Sequence, residues 1–156
     1  MAPSCLTWSP FFSLYKEQMP KNLFLITGGA GFIGSHLVDA FLQNGYGVRV
    51  LDNLQPPTHS GRLPAWFNKK AEFIIGDVLD KSTFHKALKG AAYILHLAAH
   101  MDYLPNFSQY FTTNTASTAL LYEILKANKL SVKKVVVASS QAVYGEGKYK
   151  CQKHGV

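Results

Sequence analysis

Five short apolar runs limit what this chain can become. They are "LFLIT" (23–27), "VRVLD" (48–52), "EFIIGD" (72–77), "YILHLA" (93–98) and "KVVVAS" (134–139). Each is five or six residues long and rich in Val, Ile, Leu or Phe, the signature of parallel strands covered on both faces. Helical patterns lie between them. In "IGSHLVDAFLQNG", Ile33, Leu37 and Phe41 fall four apart with Val38 and Leu42 beside them, and Gly45 is a stop signal. "KSTFHKALKG" (81–90) reads as a shorter helix ending at Gly90. "YFTTNTASTALLYEILKANKL" (110–130) reads as a long one, striped by Leu120, Leu121, Ile124 and Leu125. The pattern is βαβαβαβαβ: an α/β chain with a doubly wound parallel sheet of five strands. The link "QPPTHSGRLPAWFNKK" (55–70) is polar and Pro-rich, with no readable period. Internal repeats and low-complexity tracts are absent, and no second domain fits in what remains.

The first strand ends in "TGGAGFIG", which places Gly28, Gly31 and Gly34 three apart and leads into the first amphipathic helix. That context points the glycines to holding a dinucleotide, the plainer alternative being an ordinary turn. Gly28 permits a tight turn, Gly31 lets backbone approach a pyrophosphate, and Gly34 allows close helix–sheet packing. The free N–H groups at the helix start face the phosphate charges. Asp52, at the tip of the second strand, lies 18 residues after Gly34. A carboxylate there accepts hydrogen bonds from the ribose hydroxyls and repels a 2′-phosphate, and only Asn53 and Leu54 follow it, so NAD is expected over NADP. The plainer alternative is that Asp52 caps a turn with Asn53.

Bulk properties narrow the rest. With 156 residues, the chain is most simply one domain, and 47% apolar with 16% charged residues is ordinary for a soluble globular protein. No apolar run approaches the ~20 residues of a membrane span, so no membrane partner is expected. The net charge of +7 comes from scattered lysines, densest at Lys148, Lys150 and Lys153, which argues against nucleic acid. Cys5 and Cys151 have no zinc or redox spacing, which suits a reducing cytoplasm. His96 and His100 have no ligand-spaced Cys or carboxylate, so no metal is expected; His100 could approach a nicotinamide. Residues 1–19 show no period and read as a disordered leader or a start called too far upstream. Residues 20–147 form the NAD-binding domain, and 148–156 a tail.

The motifs "TGGAGFIGSHLV", "LDNL", "GDVLD", "HLAA", "NTAST" and "SSQAVYG" occur in order between about Asn22 and Gly147. In this the chain resembles the extended short-chain dehydrogenase/reductase family, the NAD-dependent epimerases and dehydratases of nucleotide sugars. The resemblance implies a Rossmann domain with sheet order 3-2-1-4-5, NAD as cofactor and a nucleotide-sugar substrate. It places Phe32 and Ile33 at the pyrophosphate, Asp52 and Asn53 at the adenosine ribose, and Asp77 and Val78 beside the adenine. The alternative for Asp77 is capping of the next helix. Leu97, Ala98 and Ala99 would line the cofactor. Asn114 matches a structural Asn of the family, and a mid-helix Asn requires a compensating hydrogen bond. Ser117 stands where the family often has Gly. Ser140 matches the catalytic Ser or Thr that would hydrogen-bond the reacting sugar hydroxyl; a turn-forming serine is the alternative.

The family's base is a Tyr whose proton is loosened by a Lys four residues on, both on one helix face. Tyr144 and Lys148 have that spacing, but Gly145 and Gly147 lie between them, each costing a helix about 1 kcal/mol relative to Ala. The pair is therefore read as a coincidence, with the true pair on a later helix outside this chain. The chain is expected to be the cofactor-binding part of an enzyme, inactive alone, with its fifth strand an edge prone to self-association. Among family reactions 4-epimerisation leads. Dehydratases carry acids where this chain has Gln141 and Ala142, and "YGEGKYKCQKHG" looks like epimerases of deoxythymidine-diphosphate 6-deoxyhexoses. Dehydratases, reductases and decarboxylases stay open, as does a non-catalytic dinucleotide-binding module.

Overall fold

Neighbouring residues of the first strand point into different cores. Leu25 packs into one buried cluster, and Phe24 and Ile26 into another on the opposite side. This is the two-sided burial that a near-continuous apolar strand requires. The structure is a computed structural model describing residues 22–102, 104–145, 147, 148 and 150–155. The expected leader 1–19 and Cys5 lie outside the described residues. Five strands, β1 (Leu23–Thr27), β2 (Gly47–Asp52), β3 (Glu72–Ile75), β4 (Tyr93–His96) and β5 (Lys134–Val137), form an all-parallel sheet. Its order is β3-β2-β1-β4-β5. Ile26 sits in register between Val50 and Leu95.

Helices cover both faces. One side carries α1 (Phe32–Gln43), whose Val38 is fully buried against Ile26 and Val50. The other carries α2 (Lys81–Leu88) and a long helix in three parts: α3 (Phe107–Tyr110), a π-helical segment (Phe111–Ala116) and α4 (Ser117–Ala127). There Phe84, Leu88, Leu121 and Ile124 surround Leu25, Leu51 and Ile94. Burying side chains of this size stabilises by roughly 1.5–3 kcal/mol each. Arg49 joins the layers from β2. Its guanidinium pairs with Glu72 at 2.8 Å and donates to the Ala87 and Lys89 carbonyls, the exposed acceptors at the end of α2.

Three expectations need correction. The alternation of strand and helix fails once, because the link between β2 and β3 contains turns and no helix. Pro56, Pro57 and Pro64 withhold backbone donors there. Phe67 and Ala71 from that link fill the core position a helix would cover. The long helix starts earlier than expected, at Phe107, and is not uniformly α. The apolar runs at 72–77, 93–98 and 134–139 also outlast their strands by two residues, and those extra residues run toward the carboxyl end of the sheet. β5 is an edge of the sheet, with Val136 and Val137 partly exposed.

A line of polar groups crosses the interior where β1, β4 and α4 meet. The Leu97 and Ala98 amides donate to Thr27 Oγ1, which is left to donate to His96 Nδ1 at 2.8 Å. That assigns the imidazole proton to Nε2, which donates to Ser117 Oγ at 3.0 Å, and Ser117 donates to the Thr113 carbonyl. Ser117, unlike glycine, thus gives a buried histidine its second partner. Burial pushes His96 down to about 4. Above pH 6.5 the ring is neutral folded or unfolded, and no pH dependence arises from it. Between pH 6.5 and about 4 the unfolded chain binds a proton that the folded chain excludes. Stability should therefore fall by about 1.4 kcal/mol per pH unit in that window and level off below it. Urea denaturation at pH 7.5, 6 and 5 measures this, and a flat unfolding free energy would show that the ring is not desolvated.

Candidate functional site

The crossovers leaving β1 and β4 run to opposite sides of the sheet, and a cleft of about 440 Å³ opens at their carboxyl ends. Such switch points are where open α/β sheets receive ligands. Of the residues anticipated for a dinucleotide, Gly28, Gly31, Phe32, Ile33, Gly34, Asp52, Asn53, Val78, Leu97, Ala98 and Ala99 line this cleft. Asp77, Asn114 and Ser140 do not.

Each glycine of the turn meets a different constraint. Gly28 has φ +68°, and a Cβ on it would lie 2.9 Å from the Ala98 backbone. A Cβ at Gly34 would strike the Gly28 carbonyl and lie 2.6 Å from Gly29 Cα, so this glycine lets the helix close on the turn rather than on the sheet. Gly29, which the three-apart pattern does not include, is constrained too: a Cβ on it would lie 2.7 Å from both methyls of Val50. Gly31 differs. Its φ of −71° and ψ of 177° suit any residue, and a Cβ would meet only the Gly28 carbonyl, at 3.3 Å. Of the four glycines this one is pressed least, although that contact with the backbone is tight. Gly31 lines the cleft beside the start of α1, whose first amides no side chain caps.

Asp52 is 8% exposed and faces the turn from β2. Its Oδ2 accepts the Ala30 amide at 3.0 Å and its Oδ1 the Leu54 amide at 2.9 Å. The carboxylate therefore ties the glycine turn to the chain leaving β2, and each oxygen keeps a lone pair for a ligand. It does form a local turn, through Leu54 rather than Asn53. Asn53 donates to Asp77 Oδ2 at 2.9 Å, and Asp77 Oδ1 accepts the Leu79 amide. Asp77 thus links the tips of β2 and β3, and the helix cap belongs to Asp80. Hydrogen bonds from Thr83 and Ser82 hold that carboxyl below the usual range.

At the other end, Asn114 clamps the backbone of His100, accepting from its amide at 2.7 Å and donating to its carbonyl at 3.0 Å. This is the compensating bond a mid-helix Asn needs. His100 lines the cleft, and its ring packs against Tyr110 with Nε2 3.0 Å from Asp102. Asp102 is pulled down to about 2, chiefly by the Tyr110 hydroxyl, then by Asn106 and the Leu104 amide. Ser140 is exposed, and its Oγ accepts the Ala142 amide, capping the 3₁₀ turn Gln141–Tyr144. Ala138, not Ser140, reaches the cleft from beyond β5. Gly145 follows that turn with φ +68°, so Tyr144 and Lys148 share no helix. Among the described residues no group of three or more His, Cys, Asp or Glu could hold a metal ion. None of their helices is long and apolar enough to cross a membrane.

The two glycines separate by experiment. Gly34→Ala should destabilise by about 1–3 kcal/mol, because rigid backbone blocks the new methyl. Gly31→Ala should cost less than about 1 kcal/mol, since its conformation suits alanine and only the Gly28 carbonyl has to yield. Urea denaturation of both variants checks the contrast, and equal losses would contradict it.

The sequence pattern of the NAD dependent epimerase/dehydratase family matches residues 24–154. A putative UDP-glucose 4-epimerase of Methanocaldococcus jannaschii is 37% identical over 132 residues, 81% of this chain and 41% of the relative. A dTDP-L-rhamnose 4-epimerase of Burkholderia thailandensis is 33% identical, over 79% of this chain and 36% of its own length. The structure of a UDP-glucuronic acid 4-epimerase from Bacillus cereus in complex with NAD superposes with a TM-score of 0.68 at 33% identity, covering 81% of this chain and 42% of that one. The chain thus spans about two fifths of the length of these relatives. With the glycine turn, its acid and the sheet order all in place, this chain belongs to the NAD dependent epimerase/dehydratase family.

Proposed function

We propose that this chain binds NAD in the cleft above β1 and β4 and serves as the cofactor-binding part of a nucleotide-sugar 4-epimerase. Gly31 carries the reading: its backbone angles suit any residue, yet a glycine stands there, bordering the cleft at the start of α1. The pyrophosphate would lie along the uncapped start of α1, where amide groups and the helix dipole favour negative charge. Asp52 would accept from the adenosine ribose with its remaining lone pairs, and its charge would oppose a 2′-phosphate. Leu97, Ala98 and Ala99 would form the wall along the cofactor, with His100 at its end. When bound, NAD⁺ would supply an acceptor for hydride from the carbon that bears the reacting sugar hydroxyl.

Proton handling is a separate matter. Ser140 lies outside the cleft with its oxygen in a turn, and Tyr144 and Lys148 are not on one helix face. A positioned base typically contributes ~10²–10⁴-fold to rate. The chain by itself therefore binds without appreciable turnover, and the substrate is a nucleoside-diphosphate sugar met with parts beyond this segment. The exposed valines of β5 are the surface through which the isolated chain would self-associate.

Calorimetry on the full chain tests the reading. NAD⁺ should bind, NADP⁺ should bind at least tenfold more weakly, and Gly31→Ala should lose at least tenfold in NAD⁺ affinity while losing less than about 1 kcal/mol of stability. Equal NAD⁺ affinity in Gly31→Ala and wild type would overturn it. Turnover of UDP-glucose near that of a full-length relative would overturn the statement about proton handling.

A further inference from the structure

The loop after β2 holds a polar atom that the fold leaves unsatisfied. Leu54 is buried with φ +55°, an uncommon conformation for a branched side chain, and is fixed there by the bond from its amide to Asp52. From that point the loop closes on itself, the His59 amide donating to the Gln55 carbonyl and the Gly61 amide to the Leu54 carbonyl, both at 3.1 Å. Inside this loop the His59 Nε2 atom is buried and has no hydrogen-bond partner. Buried ring nitrogens in native structures nearly always have one, so an orphan marks a place for something else.

His59 sits where that partner would be a ligand. With Thr58, Gly31 and Phe32 it borders both the main cleft and a smaller hollow behind the glycine turn. It lies seven residues beyond Asp52 in the loop that leaves β2, and both residues line the main cleft. The two groups are chemically complementary. An ionised carboxylate only accepts, while a neutral imidazole can donate from one nitrogen. A ribose hydroxyl that gives its proton to Asp52 keeps lone pairs that need a donor, and a buried Nε2–H supplies it.

We propose that His59 is a further binding residue, donating from Nε2 to a hydroxyl of the adenosine ribose whose proton Asp52 accepts. Acid and imidazole then form a two-sided clamp on a vicinal diol, selecting an unmodified ribose. This rests on the dinucleotide reading above.

The test is a thermodynamic cycle on the full chain, using calorimetry with NAD⁺ and its 2′-deoxy and 3′-deoxy adenosine-ribose analogues. His59→Leu removes the donor at similar bulk, and His59→Gln keeps an N–H near the Nε2 position. His59→Leu should bind NAD⁺ about tenfold more weakly, while melting no lower than wild type without ligand, because it removes a buried unpaired nitrogen. His59→Gln should stay within about threefold of wild type. The penalty for one deoxy analogue relative to NAD⁺ should be about tenfold smaller in His59→Leu than in wild type, the remainder being the bond to Asp52. Unchanged NAD⁺ affinity in His59→Leu, or independent penalties with both analogues, would overturn the clamp and leave the dinucleotide reading intact. A wild-type chain that ignores NAD⁺ would overturn both.

Discussion

A single carboxylate organises the business end of this fold. Asp52 is buried at the end of β2, and its two oxygens reach two different segments: the turn after β1 through Ala30, and the chain leaving β2 through Leu54. An ionised group so deeply placed is tolerable only because both oxygens are bonded. The arrangement fixes the glycine turn relative to the neighbouring strand before any ligand arrives. Side chains and loops that need no ordering on binding lower the entropic cost of association. The turn itself then needs glycine for three unrelated reasons: a left-handed φ at Gly28, contact with Val50 at Gly29, and closure of the helix on the turn at Gly34.

The same economy recurs deeper in the sheet. Thr27, the last residue of β1, receives two amides from the chain leaving β4 and passes a hydrogen bond to His96, which passes one to Ser117. The residues that shape the cleft floor, Leu97 and Ala98, are thereby pinned by the hydroxyl that precedes the glycine turn. Asn114 repeats the device one step further on, holding His100 at both backbone atoms. Cleft wall and core are stitched by side chains of short reach, so the geometry of the one follows from the packing of the other.

Much of this was legible in the residues. Apolar runs of five or six gave the parallel strands, and a sheet covered on both faces follows from runs that do not alternate. Gly28 and Asp52 could be placed because a turn and an acid at a strand tip have local signatures. What stayed hidden depends on partners distant in sequence. Nothing near Gly29 announces Val50, and nothing near Ser117 announces a ring 21 residues earlier. The Pro-rich link was unreadable for another reason. Phe67 and Ala71 enter the core without any period, so their burial leaves no pattern along the chain. Asp77 shows the limit of position alone, since its carboxylate is engaged with Asn53 and Leu79, and the helix cap that was the alternative reading of it falls to Asp80.

The π-helical stretch Phe111–Ala116 joins these themes. Such a widening amounts to an extra residue inserted into an α-helix, and it alters the rotational phase of everything beyond it. Here it falls between α3 and the face of α4 that carries Leu121 and Ile124 into the interior, and it contains the residue that clamps His100. Length at this place is consequently frozen. Removing one residue would restore a regular spiral and turn either the clamp or the apolar stripe away from its target. The irregular link between β2 and β3, which has no phase to keep, is where insertions and deletions can accumulate over evolutionary time.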